Sequence, residues 1–249
     1  MGREMYPALS GGLRALRSLD LIANNLANVN TTGFKADRAR FRLEAAEGVP
    51  PNAAAMSLGE GFVTSMGEST DYSQGVLQET TNPTDLALRG ERGFFVLGPG
   101  DGSSPPMLTR DGSFYLDPEG FLTAGEGLRV LSDTGKPIKV GGAGPVVVGH
   151  DGAVTVGGVA AGKVGIMDVA DRALLAKAGG NRWATDGADL EPVAAEVVQG
   201  YLESSNVEPV QALTELIAVT RYYEAFQKNL DASSKLDEAL ASQVGRLDR

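Results

Sequence analysis

The stretch Val207-Glu-Pro-Val-Gln-Ala-Leu-Thr-Glu-Leu-Ile-Ala-Val-Thr-Arg-Tyr-Tyr-Glu-Ala-Phe-Gln-Lys-Asn-Leu230 opens a long amphipathic helix. Leu213, Leu216, Val219, Tyr223, Phe226 and Leu230 recur at steps of three and four, and Leu236, Leu240, Val244 and Leu247 continue the row. That spacing places them on one face, close to a heptad seam. Glu208-Pro209 is a good opening, because proline in the first turn lacks only an N–H that has no helical partner anyway, and Ser205 or Asn206 can cap it. No Gly or Pro then interrupts the row before Gly245. A helix with such a stripe needs a partner along its length. The one comparable pattern is at the other end of the chain, where Leu9, Leu13, Leu16, Leu19, Ala23 and Leu26 repeat at the same spacing after Pro7. This first helix is expected to stop at Asn28-Val-Asn-Thr-Thr-Gly33, a run of turn formers in which glycine is free to take positive φ. The two ends are therefore expected to pair as a coiled-coil-like layer, within a subunit, between subunits, or both.

Between the helices the pattern changes to period two. Asp85–Arg89, Gly93–Gly98, Ser113–Asp117, Phe121–Thr123, Leu128–Leu131, Val146–Val148, Val154–Val156 and Lys163–Val169 are short apolar runs bounded by Gly, Asp or Pro. Such runs at intervals of about ten residues predict a compact β-domain. Residues 44–70, with Pro50-Pro51 and an Ala/Gly-rich stretch, read as a loosely structured connector, either loop or extended arm. The expected class is α+β. An N-terminal helix (1–34), a connector or arm (35–75), a central β-rich domain (76–195) and a C-terminal helical segment (196–249) follow in that order.

Composition removes most chemistry. The 249 residues include no cysteine and one histidine, His150, so disulfides, thiolate metal sites and most histidine-based catalytic sets are excluded. Net charge is −10, which opposes nucleic-acid binding. Residues 1–42 hold seven Lys/Arg against three Asp/Glu, whereas 43–199 hold ten against twenty-one. No stretch approaches the roughly 20 apolar residues of a membrane span, so the chain is read as not membrane-embedded. Arg14, Arg17 and Asp20 interrupt any leader-like apolar segment, so export without a cleaved signal peptide is the expectation.

The motifs that could carry a reaction fail on their own terms. Gly157-Gly-Val-Ala-Ala-Gly-Lys163 matches a phosphate-binding loop up to its lysine, but Val164 stands where a magnesium-ligating hydroxyl is required. A glycine-rich hairpin turn accounts for it. Gly149-His-Asp-Gly152 lacks a nucleophile, and the Asp-Gly turns lack the spaced oxygens of a calcium loop. No catalytic residue, cofactor, metal or small-molecule substrate is expected.

Four segments resemble the flagellar axial family of rod and hook proteins. Leu21-Ile-Ala-Asn-Asn-Leu-Ala-Asn-Val-Asn-Thr-Thr-Gly-Phe34 is similar to its N-terminal ANNLAN-x-x-T-x-GF signature, placing Asn24, Asn25, Leu26, Asn28, Gly33 and Phe34 at motif positions. Asn82-Pro-Thr-Asp-Leu-Ala-Leu-Arg-Gly-Glu-Arg-Gly-Phe-Phe95 resembles D-x-A-I-x-G-x-GFF with one extra residue between the glycines. Thr109-Arg-Asp-Gly-Ser-Phe114 is similar to TR-x-G-x-F. Gln199-Gly-Tyr-Leu-Glu-Ser-Ser-Asn-Val207 resembles LE-x-SNV, with Asn206 and Val207 at motif positions, and Arg221-Tyr-Tyr-Glu224 stands for the family's RAYE.

The resemblance implies a structural subunit of the periplasmic rod of the flagellar basal body. Its implied partners are copies of itself, other rod proteins and the flagellar export apparatus. Length and the short connector favour a proximal-rod over a distal-rod type. On that reading Leu9, Leu13, Leu16 and Leu26, with Leu213, Leu216, Phe226, Leu230 and Leu240, form the assembly interface. Asn24, Asn25, Asn28 and Asn206 are expected to satisfy backbone groups where helices meet connectors. A peptidoglycan-trimming enzyme and an all-helical export chaperone are the rival classes. The first lacks a catalytic set, and the second is incompatible with the β-turn region.

Overall fold

A computed structural model describes the backbone of residues 5–45 and 61–247 except 102, 143 and 186. Side chains are described for residues 11–40 and 67–235, with 102, 143, 186 and 233 left out. The chain forms two compact units.

The first unit contains α1 (Met5–Ala27), β1 (Asp37–Ala45), β2 (Gly61–Thr70) and α2 (Pro209–Leu247). The two helices contact each other. β1 and β2 pair antiparallel from Asp37↔Thr70 to Ala45↔Gly61, with a bulge between Arg40 and Phe41. The segment expected as a loose connector thus carries two strands. The alternation of Arg38, Arg40 and Arg42 with Ala39, Phe41 and Leu43 is the period-two signal of β1. Residues 46–60, the middle of that segment, lie outside the described residues.

The second unit consists of Asn28–Ala36 and Asp71–Val207. Its strands are β3 (Leu77–Glu79), β4 (Leu86–Arg89), β5 (Phe94–Gly98), β6 (Met107–Thr109), β7 (Tyr115–Leu116), β8 (Leu122–Thr123), β9 (Arg129–Val130), β10 (Val146–Val148), β11 (Ala153–Val156), β12 (Val159–Lys163), β13 (Ile166–Val169), β14 (Ala176–Gly179), β15 (Arg182–Ala184), β16 (Leu190–Pro192), β17 (Glu196–Gln199) and β18 (Tyr201–Glu203). The largest sheet runs β14-β15-β6-β5-β9-β8-β7, with β13 joining β5 to β16. The strands β10, β11 and β12 form a meander, while β17 pairs with β4 and β18 with β3.

β5 explains why there are two cores. All five of its residues are buried. Phe95 and Leu97 join Leu86, Phe114, Val130, Ile138 and Ile166 in one cluster, whereas Phe94 and Val96 join Leu108, Leu131, Val169 and Trp183 in the other. A continuous apolar run is what a strand covered on both faces requires. At the P-loop-like stretch, Val156 pairs with Val159 across Gly157 and Gly158, at φ 56° and 86°. Two positive-φ residues make a tight hairpin turn, where glycine carries no penalty.

The expected boundaries differ at both ends of this unit. Asn28–Ala36, divided in the expectation between the N-terminal segment (to 34) and the connector (from 35), belongs to it, and Glu196–Glu203 forms two strands before α2 begins at Pro209. The chain leaves the unit after Ala36 and re-enters at Asp71, whose N–H donates to the Ala36 carbonyl at 2.7 Å.

Candidate functional site

The residues singled out in the sequence fall into a helical seam in the first unit and a buried clasp in the second. At the seam, α1 buries Gly12, Ala15 and Ile22. A Cβ on Gly12 would stand 2.5 Å from the Phe226 ring. Glycine is unfavourable inside a helix by about 1 kcal/mol against alanine, and its use here admits the ring. Leu216, Val219, Tyr223 and Phe226 are half-buried on α2, in the expected order of threes and fours. The stripe on α1 differs from expectation. Leu13 and Leu16 are 60% and 40% exposed, and Leu26 is half-buried. The seam takes the small side chains, and the bulky leucines sit on its flank. On α2, Leu213 and Leu230 are likewise exposed, at 46% and 37%. The side chains of Leu9 and Leu240 lie outside the described residues.

Of the asparagines, Asn25 accepts from the Asp37 N–H at 2.9 Å and donates to the Asp37 carbonyl at 2.8 Å. Its amide thereby pairs with β1 as another strand would. Asn28 accepts from the Thr31 hydroxyl, and Asn24 is exposed.

The clasp gathers residues from three of the four motif segments. Gly33, at φ 65°, donates its N–H to the Glu203 carbonyl at 2.7 Å. A Cβ there would fall 2.4 Å from the backbone of Arg110 and Asp111. Phe34 is buried, with the Lys177 ammonium 4.7 Å from its ring centroid. Asn206 accepts from the Ala36 N–H at 2.8 Å and donates to the carbonyls of Asp71 (2.8 Å) and Ser73 (3.2 Å). It therefore does not cap α2; Val207 is half-buried, and its N–H donates to the Ser205 hydroxyl.

Lys35, Arg110 and Glu203 are each 1% exposed. The Lys35 ammonium donates to Glu203 Oε1 and to the Ser73 carbonyl, both at 2.6 Å. Arg110 Nη1 donates to Glu203 Oε2 at 3.1 Å and to the Gly90 carbonyl at 2.9 Å. The Gly75 N–H completes the carboxylate's partners at 2.9 Å. The Arg110 guanidinium stands 5.4 Å from the Phe94 ring centroid. Burial lowers the pKa of both cations, and the Glu203 charge opposes that shift.

A second buried carboxylate, Asp168, accepts from Arg172 Nη2 at 2.6 Å, Nε at 3.0 Å and the Gly93 N–H at 3.1 Å. Burial alone would raise its pKa, but Arg172 and the N–H donors of Gly93 and Val169 hold it below the usual 3.8. A depressed carboxylate adds stability above its unfolded pKa, and the gain disappears as pH falls through the folded value. Asp168→Asn is therefore expected to lower the urea midpoint at pH 7. The gap to wild type should begin to narrow once pH drops below about 4 and close only as pH falls through the lower folded value; a gap that stays constant down to pH 2 would contradict this account.

No group of three or more His, Asp or Glu side chains with metal-binding geometry occurs among the described residues, and no described helix is long and apolar enough to cross a membrane. His150 is 80% exposed in its turn, with Nδ1 3.5 Å from Glu196. Sequence reasoning missed the seam residues Gly12, Ala15 and Ile22 and the charges of the clasp. For the seam the signal was Gly11-Gly12 inside a helical pattern, which marks a close approach. For the clasp the signals were an arginine and a glutamate, each inside a family motif, and a lysine directly after one.

Comparison with known proteins agrees with these motifs. Residues 5–35 match the family described as flagella basal body rod protein, and 87–156 match the flagellar hook protein FlgE/F/G D1 domain. Residues 198–243 match the flagellar basal body rod FlgEFG protein C-terminal family. The chain is 36% identical to the flagellar basal-body rod protein FlgF of Caulobacter vibrioides, over 100% of both chains. It is 33% identical to FlgF of Rhizobium meliloti (98% of this chain, 99% of the relative). Identity to the basal-body rod protein FlgG of Bacillus subtilis is 32% (97% and 99%). With full-length likeness to rod proteins and all three segments matched in order, this chain belongs to the flagellar basal-body rod protein family.

Proposed function

We propose that the chain is a non-catalytic structural subunit of the proximal rod, of the FlgF type. It polymerises through its terminal helices into the shaft that links the inner-membrane ring to the distal rod and hook. The observation that carries this reading is the apolar surface left open on the helix pair: Leu13, Leu16, Leu213, Ile217 and Leu230 are all more than a third exposed. Burying a leucine fully is worth about 1.5–3 kcal/mol, so neighbouring subunits that cover these positions gain assembly energy residue by residue. In the rod the helices of successive subunits form a coiled-coil-like inner layer. The assembly-interface positions are Leu9, Leu13, Leu16, Leu26, Leu213, Leu216, Phe226, Leu230 and Leu240. The proximal type is supported by the two FlgF relatives at 36% and 33% identity, against 32% for FlgG of Bacillus subtilis.

Partners are further copies, other rod proteins and the export apparatus, through which the chain passes to the periplasmic rod. Helices with an uncovered apolar face gain most of their stability from packing, so assembly and the final ordering of the helices are one event.

The test is an in-frame deletion complemented with Leu213→Asp, with basal bodies examined by electron microscopy. Leu213 is exposed in the single chain, so the purified variant should unfold within about 0.5 kcal/mol of wild type. In the cell it should give rings without a complete rod or filament. Normal rods with Leu213→Asp would remove the helix surface from the assembly, and intact rods in the deletion strain would reject the rod role itself.

A further inference from the structure

We infer that residues 28–36 form a strap that seats last in the β-rich unit, after residues 203–206 are in place. The order follows from how three buried charges are shared. Lys35 and Arg110 bind different oxygens of one carboxylate, that of Glu203, at 2.6 and 3.1 Å. Each of the three comes from a different part of the chain: Lys35 from the strap, Arg110 from the end of β6, and Glu203 from the end of β18.

The two cations are not equivalent in what they require. Without Glu203, seating Lys35 would place two cations in the same dry space with no carboxylate bonded to either. An unpaired buried charge is among the costliest single defects a fold can contain. Without Lys35, by contrast, Glu203 still has Arg110 on Oε2 and the Gly75 N–H on Oε1, and the pair is neutral. The carboxylate can therefore settle before the strap, whereas the strap cannot settle before the carboxylate.

The backbone contacts have the same direction. Gly33 donates to the Glu203 carbonyl, Asn206 N–H donates to the Phe34 carbonyl at 3.4 Å, and Ala36 N–H donates to the Asn206 side chain. These strap contacts are made to 203–206. The 203–206 segment is also held independently of the strap, by β18 pairing with β3 and by Ser204 N–H donating to the Val76 carbonyl at 2.9 Å. The part of the unit nearest the N-terminus in sequence is thus the part that closes it. Closure depends on a segment roughly 170 residues further along, as the separations of Lys35–Glu203 and Ala36–Asn206 show.

Native-state hydrogen exchange of the full chain in low urea tests the order. The amides of Gly33 and Ala36 should open at lower denaturant than that of Ser204. Simultaneous opening, or Ser204 opening first, would overturn the inference. Two variants add a second arm. Lys35→Met removes a charged hydrogen bond and should speed exchange at Gly33 and Ala36 by roughly 10-fold or more, leaving Ser204 near its wild-type rate. Glu203→Gln should speed exchange at all three amides, by roughly 100-fold or more. Ser204 released by Lys35→Met as fully as Gly33, or Gly33 still protected in Glu203→Gln, would show that the strap does not depend on the carboxylate in this order. Should Glu203→Gln fail to fold, the wild-type order and Lys35→Met still decide the matter.

Discussion

Gly112→Ala is expected to abolish the stable β-rich unit, at a cost of about 4 kcal/mol or more, which puts it among the exceptional single substitutions. A Cβ at this position would stand 1.6 Å from the Leu86 carbonyl oxygen, 2.7 Å from its carbon and 3.3 Å from the Phe95 ring. The first two obstacles are backbone and cannot rotate away. Nor can the Gly112 segment move, since its carbonyl accepts from the N–H groups of both Leu86 (3.1 Å) and Phe114 (2.9 Å). Relief therefore requires β4 to shift, and Leu86 and Leu88 of β4 belong to the larger core. The control is Gly125→Ala, where a new Cβ meets nothing within 4 Å. That variant should stay within about 0.5 kcal/mol of wild type. Urea unfolding of the two would show a large difference in midpoint; similar midpoints would mean that the close approach at Gly112 is not limiting.

The second large effect concerns the clasp. Glu203→Ala leaves Lys35 and Arg110 buried without the carboxylate that bonds them both, and breaking a buried pair from one side costs about 3–5 kcal/mol. Arg110 is especially dependent on the pair, because its Nε and Nη2 make no hydrogen bond among the described residues. The loss should be largely reversed in the triple variant Lys35→Met, Arg110→Met, Glu203→Leu, since replacing every member of a buried ionic set by apolar residues is often neutral or better. Glu196→Ala gives the contrast. Its bonds to Arg89, at 2.9 and 3.1 Å, are as short as that of Arg110 to Glu203, but both side chains are at least 40% exposed. Solvent screening brings such a pair down to about 0–1 kcal/mol. If urea midpoints ranked the two single variants equally, burial would not be what makes the clasp matter.

These residues also show where sequence reasoning stopped. Periodicity located α1 and α2 because a helix writes its pattern within itself. It misjudged which face of α1 is covered, because hydrophobic spacing favours large side chains, whereas the seam at Gly12 and Ala15 needed small ones. The meander around Gly157-Gly158 was legible for a similar local reason: the turn and both of its strands lie within eleven residues. The pairing of strands whose partners are distant was not. β17 pairs with β4 roughly 110 residues earlier, and nothing in Glu196-Val-Val-Gln199 announces it. In β1, three arginines concealed an ordinary alternation. The clasp was hidden for the same reason, since its members are 93 and 168 positions apart and each alone looks like a surface charge. Family motifs marked where these residues were without saying what they do.

The hydrogen bond between Ala36 and Asp71 has a consequence for how this chain can change in length. It closes the point at which the polypeptide leaves the β-rich unit and returns, so the whole excursion from 37 to 70 hangs from two bonded neighbours. An insertion at its far end alters no contact at that stem. Loop-closure entropy rises only logarithmically, by about 0.6 kcal/mol for each doubling of loop length. The excursion is thus a place where a lineage can extend, trim or exchange sequence while the β-rich unit keeps its architecture. Subunits built on one plan can in this way come to differ in reach.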